Sequence, residues 1–268
     1  MLRSRMAGLF LLVGATAAGA DALALPACIP PIEVAHAKIV RVEKNGVLVL
    51  ADGRAAHLEG IMLPAGAGDD APESFAGQAI AALSDLATGH FVSLAARPPK
   101  EDRYGRLRAQ VLVDEGRDDA WLQIAMLRGG WARVFIAPDR RECADELYAA
   151  EARARASNSG IWSAAAYHVR TPAQATADEG TFQIVEGRVR SVAKHGGRVF
   201  LEFGSDLRSD FAVTISSDDL RNFREIGVDP FSYADAAVRA RGWIERLRGH
   251  AEMEVALPDD IEIVDSQR

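Results

Sequence analysis

Three sets of residues in this chain have types and spacings that bear on chemistry. The first is the short run Arg103-Tyr104-Gly105-Arg106, two guanidiniums and a ring around a turn glycine, suited to gripping a phosphate or a carboxylate. The second is the acidic run Asp69-Asp70-Ala71-Pro72-Glu73, whose carboxylates could serve a hard cation or simply open a helix. The third lies in the C-terminal third, where Arg188, Arg190, Arg198, Phe200, Arg239, Arg241 and Trp243 fall on alternate positions of strand-like runs. If those strands are neighbours, basic groups interleave with aromatics on one face, the chemistry of single-strand binding. The same face would equally suit packing on another domain. The two cysteines, Cys28 and Cys143, have no histidine or further cysteine at zinc spacing, so no metal site is indicated.

The elements that must hold these residues can be read from periodicity. Alternation marks strands from position 36 to 63, broken by turns at Asn45-Gly46 and Asp52-Gly53. A loop over 64–73 leads to a helix over 74–88, in which Phe75, Ala79, Leu83 and Leu86 recur at helical spacing. Strands at 91–95 and 109–113 flank the arginine-rich loop. Helices are expected over 121–128 and 139–156, the second ending at Ser159-Gly160. Residues 164–180 show no period and read as linker. After Phe182 come short strands with one helix near 217–226, the pattern of a small oligonucleotide/oligosaccharide-binding (OB) barrel. The fold class is therefore mainly β with α: a barrel with helices, then a second small OB-like barrel over 181–268.

Composition agrees with two globular domains. The 268 residues are 49% hydrophobic and 26% charged, with net charge −7. An acidic balance speaks mildly against strong non-specific DNA binding. Only four lysines occur, so arginine carries most of the positive charge. The N-terminus reads as an export signal over 1–24. Arg3 and Arg5 precede the apolar run Gly8–Ala15, and Ala22-Leu23-Ala24 forms a cleavage site. Periplasmic or secreted location follows as an expectation, with no transmembrane segment in the mature protein. Leu25-Pro26-Ala27-Cys28 also resembles a lipoprotein box, so lipidation of Cys28 stays open beside a disulfide with Cys143.

Four segments, in order, resemble the staphylococcal-nuclease (thermonuclease) family across about residues 36–168. They are His57-Leu58-Glu59-Gly60-Ile61-Met62-Leu63-Pro64, Arg103-Tyr104-Gly105-Arg106, Leu127-Arg128-Gly129-Gly130-Trp131-Ala132-Arg133-Val134, and Gly160-Ile161-Trp162-Ser163. The resemblance implies a five-stranded barrel with three helices. It also implies phosphodiester hydrolysis with a carboxylate-held divalent cation, typically calcium, a glutamate that assists the attacking water, and two phosphate-binding arginines. Carried over position by position, Arg106 matches the second arginine. His57 stands where the first belongs, Met62 where a ligand aspartate belongs, and Ala65 where the carboxylate after the proline belongs. Lys44-Asn45-Gly46-Val47 replaces a turn that carries a further ligand aspartate.

The expectation is therefore a degenerate nuclease homologue with no cofactor, acting as a module that binds nucleic acid, another polyanion or a protein. Two alternatives remain. One is an active nuclease that uses calcium with Arg106, Asp70 and Glu73. The other is an envelope protein with no nucleic-acid ligand.

Overall fold

The computed structural model describes residues 26–114, 121–204, 211–247 and 249–264. The proposed signal segment lies outside them. The first half begins with β1 (Ile32–Val42), β2 (Leu48–Leu50), β3 (Ala55–Leu58) and β4 (Ile61–Met62). Next come α1 (Ser74–Ala87), β5 (Phe91–Ala95), β6 (Leu107–Val113), α2 (Leu122–Arg128), β7 (Arg133–Val134) and α3 (Ala144–Ala156). Five strands close a barrel in the order β1-β2-β3-β6-β5, with β3 parallel to β6. Alternation supplies its core: Ile39, Leu48, Leu50, Ala56, Val92, Leu94 and Val111 point inward and are buried. Helix α1 lays Ala79, Leu83 and Ala87, spaced by four, against that core.

The run 56–63 is not one strand, as its pattern suggests. Gly60 takes a left-handed φ of 88°, and a Cβ there would meet Leu147 at 2.6 Å. The chain turns at that glycine, and β4 leaves the barrel to pair with β7. The expected helix over 139–156 starts late, at Ala144: Arg140 closes a turn by donating its N–H to the Ala137 carbonyl at 2.8 Å, and its side chain turns back to the carbonyls of Pro98 and Pro99. Two motif glycines explain each other. A Cβ on Gly130 would lie 2.1 Å from the Ser159 carbonyl, and one on Gly160 would lie 2.3 Å from the Gly130 carbonyl. The two loops are in backbone contact, joined by Ile161 N–H donating to Gly130 at 2.9 Å.

The segment read as linker is ordered and structured. It carries short 3₁₀ turns at 160–163 and 165–167, then α4 (Pro172–Ala175), opened by a capping box between Thr171 and Gln174. Tyr167 and Ala175 are buried, so its apolar residues serve packing at no visible period.

The second half holds β8 (Phe182–Arg188), β9 (Ser191–His195), β10 (Arg198–Glu202), β11 (Ala212–Ile215) and α5 (Leu220–Ile226). It ends with β12 (Ala237–Leu247), β13 (His250–Glu254) and β14 (Ile261–Ile263). Its sheet runs β9-β10-β11-β13-β12, and β8 pairs with β12 on the far side. Since β8 runs into β9 after two residues, the sheet curls back on itself, and Arg190 N–H donates to Glu202 at 2.7 Å. Counting β8 and β9 as one bent strand, this is the same strand order as the first barrel. The third strand, β11, is again parallel to the fifth, β13, and a helix again follows the third strand. The first barrel is of the OB-like type.

The barrels are docked. Leu257 of the second is fully buried in the first core, and Ile184 packs with Ala154, Ile161 and Trp162. A disulfide joins Cys28 to Cys143, 115 residues apart, pinning the start of the described chain beside α3. No helix among the described residues is long and apolar enough to cross a membrane.

Candidate nucleic-acid site and its neighbours

Strands β3 and β6 run parallel, with His57 opposite Arg108. His57 is half buried. Burial holds its imidazole below the ordinary value, Glu59 opposes that shift, and Arg106 and Arg108 add to it. It is therefore neutral at pH 7 and is no phosphate clamp. Arg106 sits in the tight turn before β6. Its Nε donates to Asp102 Oδ2 at 2.7 Å, and the Tyr104 and Arg106 amides donate to Asp102 Oδ1 at 2.8 and 3.1 Å. Partial burial works to raise the Asp102 carboxyl, but these donors hold it below the usual range. Tyr104 is 65% exposed, and the guanidiniums of Arg103 and Arg106 each lie 4.8 Å from its ring.

The positions where the resemblance places metal ligands carry none that fit calcium. Met62 lies on β4 opposite Arg133 and offers a thioether. Ala65 offers nothing. In the turn 44–47, Asn45 Oδ1 accepts from Val47 N–H at 3.2 Å, and Glu43 is engaged by Arg41 at 3.3 Å. Calcium takes about six to eight oxygen ligands, so this set does not fit it.

Nor do the alternative carboxylates converge. Asp69 is 2% exposed and accepts from Ala65 N–H at 2.7 Å, Arg133 at 2.8 Å and the Tyr167 hydroxyl at 2.8 Å. Asp70 is exposed, in a left-handed conformation at the end of a 3₁₀ turn. Glu73 is exposed and accepts from Ala67 N–H at 3.3 Å. Among the described residues, the one group of three acidic, histidine or cysteine side chains close enough to share an ion is Cys28, Cys143 and Glu146, and its two sulfurs are joined in the disulfide.

Residues 56–164 match the family described as staphylococcal nuclease homologue. The matched stretch, from β3 to the turns after α3, is the nuclease-homologue domain of the chain. No curated protein matches the chain.

Beside Arg106, the nuclease-homologue domain carries a polar network absent from the sequence-based list. The buried Glu59 accepts from Arg108 at 2.7 and 3.3 Å, Arg108 also reaches Asp139 at 3.1 Å, and Arg140 lies 4.0 Å from Glu59. Alternation along β3 and β6 signals that His57, Glu59 and Arg108 share a face, but Asp139 and Arg140 come from a distant turn.

In the second barrel, the arginines proposed for one basic face are interleaved with carboxylates. Arg239 donates to Glu186 at 2.6 Å and to Glu262 at 2.8 Å, and Arg198 donates to Glu254 at 2.7 Å. Arg188 donates to the Asp235 carbonyl. Arg190 is exposed in the two-residue link between β8 and β9, and Phe200 is half buried between Arg198 and His195. Arg241 is buried against the nuclease-homologue domain, where it pairs with Glu151 of α3 at 2.7 Å. Trp243 is 43% exposed and packs edge-on against Phe182, which packs in turn against Phe135 of the first domain. Arg241 and Trp243 are thus seam residues, while Arg198 and Phe200 lie on the outer wall.

Proposed function

We propose that this is an exported staphylococcal nuclease homologue that no longer hydrolyses phosphodiesters and works as a binding module, with nucleic acid or another polyanion as its ligand. The observation that carries the reading is the replacement of the metal donors by Met62 and Ala65, together with the commitment of Arg106 to Asp102. The binding side rests on the loop 103–106. An exposed ring beside the Arg103 guanidinium offers a stacking face for a base and positive charge for its phosphate. Export is supported by the N-terminal pattern and by the disulfide, which suits an oxidising compartment such as the periplasm or the medium. A sulfur held in that bond carries no lipid, which favours plain export over anchoring.

The test is single-stranded DNA incubated with the mature protein in calcium and in chelator, beside Arg106→Ala, followed by binding at several salt concentrations. No cleavage is expected, and affinity should fall steeply as salt rises. Replacing Arg103 and Tyr104 by alanine should weaken binding and flatten the salt slope. Calcium-dependent cleavage lost in Arg106→Ala would overturn the reading and return Asp70 and Glu73 to the active site. Absence of binding at low salt would leave an envelope-protein role.

A further inference from the structure

The second barrel carries a cleft that the loop 103–106 does not touch. It has a volume of about 400 Å³ and lies between α4, the end of β8 and the facing ends of β10 and β11. No residue of the nuclease-homologue domain lines it. One wall is α4, fixed by the capping box between Thr171 and Gln174 and by the buried Ala175. Pro172 and Ala173 face the cleft from that wall. Phe203 and Phe211 face it from the barrel, their rings 5.8 Å apart. Gly187 lets the walls meet: a Cβ there would stand 2.7 Å from Pro172 and 2.9 Å from Phe203. The walls are therefore built before any ligand arrives, as in most small-molecule sites.

Its polar groups are few and mostly engaged. The Thr171 hydroxyl donates to Gln174 Oε1 at 3.2 Å, and the Thr176 hydroxyl donates to the Ala173 carbonyl at 2.8 Å. Neither is directed to a ligand, so the cleft gives a sugar or a base edge little to bond. Positive charge stands at its rim. Arg188 donates to the Asp235 carbonyl, and Arg190 is exposed. Arg198, Arg239, Arg241 and Arg246 of the same barrel each pair with a glutamate. Among the described residues no carboxylate pairs with Arg190. Apolar walls with a guanidinium at the rim suit a chain of methylenes that ends in an anion.

We propose that this cleft binds a free fatty-acid anion, with the alkyl chain between α4 and the two phenylalanines and the carboxylate on Arg190. The full mature chain is titrated calorimetrically with octanoate, decanoate and dodecanoate below their micelle concentrations, and with 1-decanol as the uncharged counterpart. Affinity should rise about fourfold for each added methylene while the cleft has room. Arg190→Ala should weaken decanoate binding about tenfold and leave decanol unchanged. Ala173→Trp, at an exposed position of α4 that faces the cleft, should fill it and abolish binding of both, with the native circular-dichroism spectrum kept. Absence of binding for all three acids, equal affinity for decanoate and decanol, or binding that survives Ala173→Trp would overturn the proposal. Displacement of decanoate by short single-stranded DNA would also overturn it and give the cleft to the nucleic-acid ligand. Loss of DNA binding in the Arg103 and Tyr104 variants has no bearing on these titrations, since neither residue lines the cleft.

Discussion

The Arg133 guanidinium donates to the Asp69 carboxylate at 2.8 Å, and both side chains are 3% exposed. Its other nitrogen donates to the Phe182 carbonyl at 2.6 Å, the first residue of β8. One buried arginine therefore ties the acidic loop of the nuclease-homologue domain to the second barrel. The rings of Tyr167 and Phe182 lie 5.0 and 5.1 Å from its guanidinium.

Breaking that tie should be costly. Arg133→Met leaves Asp69 buried with no cation, and removing one partner of a buried pair typically costs about 3–5 kcal/mol. Asp69→Asn keeps an acceptor for Ala65 and Tyr167, but leaves the Arg133 charge buried without its carboxylate. Urea unfolding of the two single variants and the double variant gives the coupling energy. A coupling below about 0.5 kcal/mol would mean that the pair does not act as a unit.

The disulfide should be a second large contribution. A bond closing a loop of about 100 residues stabilises by roughly 4.7 kcal/mol in the chain-entropy picture, and Cys28 and Cys143 are 115 residues apart. The double serine variant should unfold at correspondingly lower urea, and reductant should shift the native midpoint but not that of the variant. Mass spectrometry of the exported chain should find Cys28 free of lipid.

What was legible follows from how local each signal is. The barrel strands could be read because Leu48 and Leu50, or Val199 and Leu201, obey a two-residue period set by burial on one side. The motif glycines could be read by resemblance, and the contact of Gly130 with Gly160 supplies their physical cause. The second-barrel arginines show where alternation stops. It assigns Arg239 to the outward face, but Glu186 and Glu262 come from β8 and β14, so the neutralising charge is set by strand order. Arg241 and Glu151 are 90 positions apart, and nothing local to either announces the other. The supposed linker lacked a period because Tyr167 and Ala175 are single anchors in short turns.

His57 gives a pH prediction whose sign follows from its burial. Its folded pKa lies below the ordinary 6.5 because burial disfavours the imidazolium. The unfolded chain then binds more protons near and below that pH, so this contribution is present above 6.5 and is lost as pH falls. His57→Gln should reduce the loss of stability between pH 6.5 and 5, seen as a flatter urea midpoint on the acid side. An unchanged acid limb in His57→Gln would show that the imidazole ionises as easily folded as unfolded.

The last prediction concerns calcium. A site that binds the folded chain alone stabilises it by about 2.7 kcal/mol when the free ion is 100-fold above its dissociation constant. A nuclease-type site of 0.1 mM affinity, an assumed value chosen on the order of the weaker extracellular calcium modules, would therefore reveal itself at about 10 mM calcium. In this chain Met62 and Ala65 supply no oxygen, Asn45 is spent on Val47, and Asp69 is held by Arg133 and Tyr167. The thermal midpoint should therefore be the same in 10 mM calcium and in chelator at matched ionic strength. Asp70→Asn with Glu73→Gln should be equally indifferent to the ion. A calcium-dependent rise in the native chain that vanishes in this double variant would show that the acidic loop holds a cation after all. It would also reopen the question of cleavage.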